Sequence, residues 1–252
     1  MEPAQAGDAE ESAQAVHRTT YLGLLESADR SALLALGREL RVAPRSLLIH
    51  QSDPSTHTLL ITHGWTKAVA SSANGYQALL DFYGPGDIVG EAAVLAGRSR
   101  DANVIALEPV RAVAVSGDAF RDFLARSPQA TLPLLQVLAD RVRAADRRRE
   151  EFVSLTVRER LASLLLELAR TVGHRTEEGI ELAVPLTQTE LAGSVGASRE
   201  TVMRVLKDLR DRGVVITKRR ALVIARPDAL RQPHRDDSQR EDARLPAAPT
   251  TA

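Results

Sequence analysis

The chain has 252 residues, 44% of them hydrophobic but only 3% aromatic, and 33 basic groups balance 33 acidic ones to a formal net charge of zero. That length suits two domains, each able to bury its own core, and no run approaches the ~20 uncharged apolar residues of a membrane span. Cysteine is absent, which excludes disulfides, thiolate catalysis, and zinc or iron–sulfur clusters held by cysteine.

Residues 1–17 are small, polar and acidic, too poor in large apolar groups to offset their ordering entropy, and 232–252 are similar. Both segments are expected to be disordered. The start lacks the basic and apolar regions of a secretory leader, so a cytoplasmic protein with no membrane partner is expected. Charge is unevenly spread: residues 1–126 carry 11 basic against 15 acidic groups, and residues 153–231 carry 14 against 10. A polyanion-binding end, if there is one, is C-terminal.

Apolar residues at helical spacing (Leu22, Leu25, Leu33, Leu36, Leu40) predict a helix over 21–40. Short β-type runs follow at 46–50, 58–70, 77–83, 87–89, 102–106 and 111–116, a spacing that suggests an antiparallel roll. At Ser127 the texture changes, since Ser127 suits a cap and Pro128 a first helical turn. In the long helix that follows, Leu135, Leu138, Val142 and Ala145 alternate at steps of three and four, the seam of a two-helix coiled coil, until Arg149 interrupts it. The alternative is an amphipathic helix packed on its own domain. Beyond it the chain reads as a helix over 157–171, a strand at 181–184, two helices, and a hairpin of 214–217 with 221–225. That order is a winged helix-turn-helix.

The stretch 186–213 carries the most information. Thr187 with Glu190 three residues on forms a capping box, Leu191 and Val195 face inward, Gly196 makes the turn, and Ser198 caps the second helix. Val202, Val205, Leu206 and Leu209 form that helix's buried stripe, leaving Arg199, Glu200, Arg204 and Lys207 outward. Arg matches the two acceptors of guanine and Glu accepts from cytosine, so Arg199, Glu200 and Arg204 are the candidate base readers. Thr187, Gln188, Ser198, Lys207, and Lys218, Arg219 and Arg220 at the hairpin tip are the candidate contacts to the DNA backbone. The alternative reading makes these charges solvated surface, with Arg204 and Asp208 an ordinary i,i+4 pair.

The run SRETVMRVLKDL is close to the signature of the Crp/Fnr transcription regulators, and the chain resembles that family over 21–230. The resemblance implies an α+β fold: an N-terminal antiparallel, jelly-roll-like β-roll of the cyclic-nucleotide-binding type over 18–126, a long dimerisation helix over 127–154, and a winged helix-turn-helix over 155–231. It further implies a homodimer on double-stranded DNA with a two-fold, TGTGA-like operator, and RNA polymerase as a partner.

GPGDIVGEAAVLAGRSRDANV resembles the phosphate-binding cassette of cyclic-nucleotide-binding domains. The resemblance makes Gly90, Glu91, Ala92 and Arg100 the candidate effector pocket, Glu91 for a ribose hydroxyl and Arg100 for a phosphate. Three features depart from members that bind cyclic AMP. Asp101 stands where those have Ser or Thr, and is expected to repel an anion or to pair with Arg100. Ala145 and Asp146 fall where the purine is gripped, and the loop between Leu95 and Arg100 looks one residue short. The expected effector is therefore cyclic AMP or another ligand, with a scaffold that binds nothing as the alternative. Haem would need axial ligands, and His50, His57 and His63 are isolated. A cupin-like enzyme would need an H-x-H pair with a later carboxylate, and none is present, so no catalytic or metal-binding residue is expected. A β-roll module acting on a protein partner would leave the C-terminal motif without purpose.

Overall fold

The structure is a computed structural model that describes residues 20–72, 77–182, 186–218 and 221–231. The expectations for 1–17 and 232–252, and for Arg219 and Arg220, lie outside the described residues. The chain opens with α1 (Tyr21–Leu24), capped by the Thr20 hydroxyl, and α2 (Ser27–Ala35). It continues through β1 (Arg38–Val42), β2 (Leu47–Ile49), β3 (His57–His63), β4 (Thr66–Ser71), β5 (Gln77–Tyr83), β6 (Ile88–Val89), α3 (Glu91–Ala96), β7 (Asn103–Ala106) and β8 (Val110–Ser116). Two helices then follow, α4 (Gly117–Arg126) and the long α5 (Pro128–Ser154).

Two antiparallel four-stranded sheets, ordered β1-β8-β3-β6 and β2-β7-β4-β5, make the roll. Leu59, Ile61, Val89, Val104 and Ala112 fill its interior. The helix expected over 21–40 is broken in two, and Leu40 lies in β1 opposite Ala112 of β8. Its helical spacing from Leu33 and Leu36 is coincidental, because a non-local strand pairing overrides local periodicity. The run expected over 58–70 is likewise two strands. Gly64, at φ 79°, turns the chain between them, and a Cβ there would run into the Pro109 carbonyl.

Helix α5 starts at Ser127 and Pro128 as expected, although the Ser127 side chain makes no cap bond. The amphipathic reading of this helix holds on one face. Ala130, Leu134 and Val137 are buried against α1, α4 and the roll, with Leu138 half-buried beside them. Leu132, Leu135 and Val142 remain 67%, 56% and 61% exposed on another face.

The C-terminal part comprises α6 (Val157–Val172), β9 (Gly173–Thr176), β10 (Gly179–Leu182), α7 (Gln188–Ser194), α8 (Arg199–Asp211), β11 (Val215–Thr217), β12 (Leu222–Ile224) and α9 (Pro227–Arg231). A capping box of Thr156 and Glu159 starts α6. The sheet β11-β12-β10-β9 backs the helices, and Leu161, Leu165, Leu191, Val202, Leu206 and Ile224 form the shared core. That core is continuous with Val69, Leu79 and Phe82 of the roll. No helix among the described residues is long and apolar enough to cross a membrane.

Candidate nucleic-acid interface and effector pocket

Both caps of the helix-turn-helix form as the sequence requires. Thr187 Oγ1 accepts from the Glu190 backbone N–H at 3.1 Å while Glu190 Oε2 accepts from the Thr187 N–H at 2.8 Å. Gly196, at φ 60°, makes the left-handed turn that a side chain would strain, and Ser198 Oγ accepts from the Thr201 N–H at 3.1 Å. Val202, Leu206 and Leu209 are buried and Val205 half-buried, so Arg199, Glu200, Arg204 and Lys207 stand exposed on the opposite side of α8.

The exposed residues are not equivalent. Arg199 Nε donates to Gln188 Oε1 at 2.9 Å, which leaves the two terminal nitrogens of its guanidinium outward. Glu200 is held below its ordinary carboxylate range by its backbone N–H, the Ser198 side chain and Arg199, against a small opposing effect of burial, so it stays an acceptor in mild acid. The Arg204–Asp208 pair does not form. Asp208 accepts instead from Arg158 at 2.6 Å, with Arg212 at 3.6 Å, and Arg204 has no polar partner among the described residues. In the wing, Lys218 Nζ lies 2.5 Å from Glu178 and 3.2 Å from Glu181, and these carboxylates raise its pKa. Neither acid carries a local signal in the sequence, because the partner lies across the sheet.

The cassette in the roll is built but occupied by the protein's own groups. Gly90, at φ 81°, precedes α3, and a Cβ there would meet the Arg100 guanidinium. Arg100 is 5% exposed and donates to the Gly90 carbonyl at 2.7 Å and to the His57 carbonyl. Asp101 is exposed and makes no ion pair among the described residues, so the expected Arg100–Asp101 pairing is replaced by these two carbonyls. Ala92 is exposed on α3. Glu91, 3% exposed, is paired with Arg141 of α5 at 2.5 Å, and its Oε2 is buried without a partner. Arg141 carried no signal in the sequence beyond its place on a charged helix.

The α5 residues aligned with a purine grip are not at the cassette. Ala145 and Asp146 are exposed, and Asp146 faces Arg149 at 3.6 Å. The side of α5 nearest the roll presents Val137, Arg141, Ala144 and Arg148 to a cleft of about 260 Å³, whose other walls include Asp81, Asp87 and Glu167. A cyclic nucleotide needs a guanidinium open to its phosphate, and that fork is spent on carbonyls here. In this arrangement the residues do not fit the phosphate.

Comparison with known proteins agrees with the fold. A Crp-like helix-turn-helix domain matches residues 159–233 and a cyclic nucleotide-binding domain matches 39–127. The chain is 32% identical over 213 residues to the CRP-like cAMP-activated global transcriptional regulator of Mycobacterium tuberculosis, spanning 82% of this chain and 94% of that one. It is 28% identical over 182 residues to the cAMP-activated global transcriptional regulator CRP of Salmonella typhimurium, spanning 71% and 86%. Among solved structures, the c-di-GMP responsive global regulator CLP of Xanthomonas campestris shares the fold, with a TM-score of 0.70 at 20% identity over 79% of this chain and 99% of that one.

Roll, long helix and capped helix-turn-helix together define a DNA-binding transcription regulator. Its relatives are regulators rather than enzymes. The chain belongs to the Crp/Fnr family.

Proposed function

We propose that the chain acts as a homodimer reading a two-fold symmetric, TGTGA-like operator, with Arg199, Glu200 and Arg204 on base edges and Thr187, Gln188, Ser198, Lys207 and the wing from Lys218 to Arg220 on phosphates. Residues 18–126 serve as an effector domain, 127–154 as the dimerisation helix and 155–231 as the DNA-binding domain, and RNA polymerase is the partner at promoters. The observation that carries this reading is α8 itself: a capped helix with one face buried and, on the other, Arg199, Lys207 and an Arg204 with no polar partner among the described residues. The exposed Leu132, Leu135 and Val142 support the dimer, since a helix that has already buried one face retains a second apolar strip.

DNA binding is controlled through the roll by a ligand. Relatives named as cAMP-activated support effector control, and the engagement of Arg100 and Glu91 favours an effector other than cyclic AMP. A band shift on a duplex carrying two TGTGA half-sites tests the core of the reading. Retention at moderate salt that is lost when both half-sites are scrambled is expected, and equal retention of scrambled DNA would refute sequence-specific reading.

A further inference from the structure

We infer that Lys67 is a positioning residue for the helix-turn-helix, holding α7 on the roll through a buried ion pair with Glu190. Lys67 lies in the interior of β4, opposite Phe82 of β5 and Ile105 of β7, and is 7% exposed. A lysine is almost never buried this far without an anionic partner. Its partner is 123 residues away: Nζ donates to Glu190 Oε1, and Glu190 is itself 5% exposed.

Glu190 is shared between two tasks. Its other oxygen accepts from the Thr187 N–H in the capping box that starts α7. One carboxylate therefore ties the first turn of α7, which carries Thr187 and Gln188, to a strand of the roll. Gly193, one turn on, sits against the Gln77 carbonyl so closely that a Cβ would collide with it. Val69, Leu79 and Phe82 continue the contact into the core around Leu191 and Val195. The register that sets Lys67 against Ile105 also puts it on the strand neighbouring β7, the element directly after Arg100 and Asp101. The orientation of the recognition motif thus follows a side chain rooted in the roll.

The test uses the full chain. Because it contains no cysteine, Arg111→Cys in the roll and Arg210→Cys on α8, both exposed, take spin labels cleanly, with unlabelled chain added to suppress distances between protomers. The parent should give one narrow distance distribution, Lys67→Met a broad or displaced one, and Lys67→Arg a narrow one. Glu190→Gln serves as a second variant should Lys67→Met fold poorly, since Gln also closes a capping box. Affinity for the two-fold TGTGA duplex should fall about 2- to 30-fold in Lys67→Met and in Glu190→Gln, with binding to random DNA unchanged. A narrow, unshifted distribution in both variants would overturn the inference, as would tighter operator binding. The affinity measurement rests on the proposed DNA reading and the distance measurement does not. A parent that ignores the operator would refute only that reading.

Discussion

Arg141 Nη1 lies 2.5 Å from Glu91 Oε1 and joins the middle of α5 to the first residue of α3. The same guanidinium donates to the Ile88 carbonyl at 2.8 Å and lies 4.8 Å from the Tyr83 ring centroid. Burial alone would lower the Arg141 pKa, but Glu91, with Tyr83, Asp87 and Asp81, outweighs it and holds the charge. The side chain expected to meet a ribose instead fastens the long helix to the roll.

Removing Arg141 strands a carboxylate that is 3% exposed. Arg141→Met should therefore cost about 3 to 5 kcal/mol of stability, as breaking one side of a buried pair does. Adding Glu91→Gln should recover part of that loss. Urea unfolding of the two single variants and the double variant measures both, and a loss under about 1 kcal/mol for Arg141→Met would show that the pair contributes little.

The engagement of Arg100 leads to a second expectation. Calorimetry with cyclic AMP or cyclic GMP should show weak binding or none. Affinity at about micromolar or better would show that a phosphate displaces the Gly90 and His57 carbonyls from Arg100 readily, and that the pocket rearranges on binding.

The wing lysine is clasped by two acids, so a phosphate must compete with Glu178 and Glu181 for it. The double variant Glu178→Gln, Glu181→Gln should bind all DNA more tightly, with the salt dependence steeper by about 0.9 per phosphate gained. Lys218→Ala should weaken specific and random DNA alike and reduce that slope by about one. Titrations at several salt concentrations decide the matter, and an unchanged slope in Lys218→Ala would remove the wing lysine from the interface.

His57 provides a pH signature. Burial, with the nearby Arg100 charge adding to it, lowers its pKa below the ordinary 6.5. In the interval just below 6.5 the unfolded chain binds a proton that the folded chain refuses. Stability contributed by neutral His57 is therefore present above 6.5 and lost as the pH falls through that interval. Thermal melts should give a lower Tm at about pH 5.5 than at about pH 7.5, and His57→Gln should flatten the difference. An identical pH profile for parent and variant would contradict this.

Local signals in the sequence were readable and distant pairings were not. Thr187 with Glu190, Gly196 and Ser198 declared the helix-turn-helix because caps and turns are decided within four residues. The strand β1, by contrast, exists because Arg38–Val42 pairs with β8 some seventy residues on, and nothing local distinguishes Leu40 from a helix position. Arg141 and Lys67 were overlooked for the same reason. Each looks like a surface cation until the fold brings Glu91 or Glu190 to it. In the cassette, Gly90, Glu91 and Arg100 were identified through the family resemblance, but which carbonyls and cations would claim them depended on β3 and α5.

Whether α8 reads bases turns on Arg204, which is exposed and has no polar partner among the described residues. Arg204→Ala should be measured against the TGTGA operator, against operators changed at each half-site position, and against random DNA, all at one salt concentration. A loss of about 1 to 3 kcal/mol is expected on the intact operator, with discrimination relaxed at a single G·C pair and random DNA barely affected. An equal loss on operator and random DNA would contradict it, leaving Arg204 a phosphate contact.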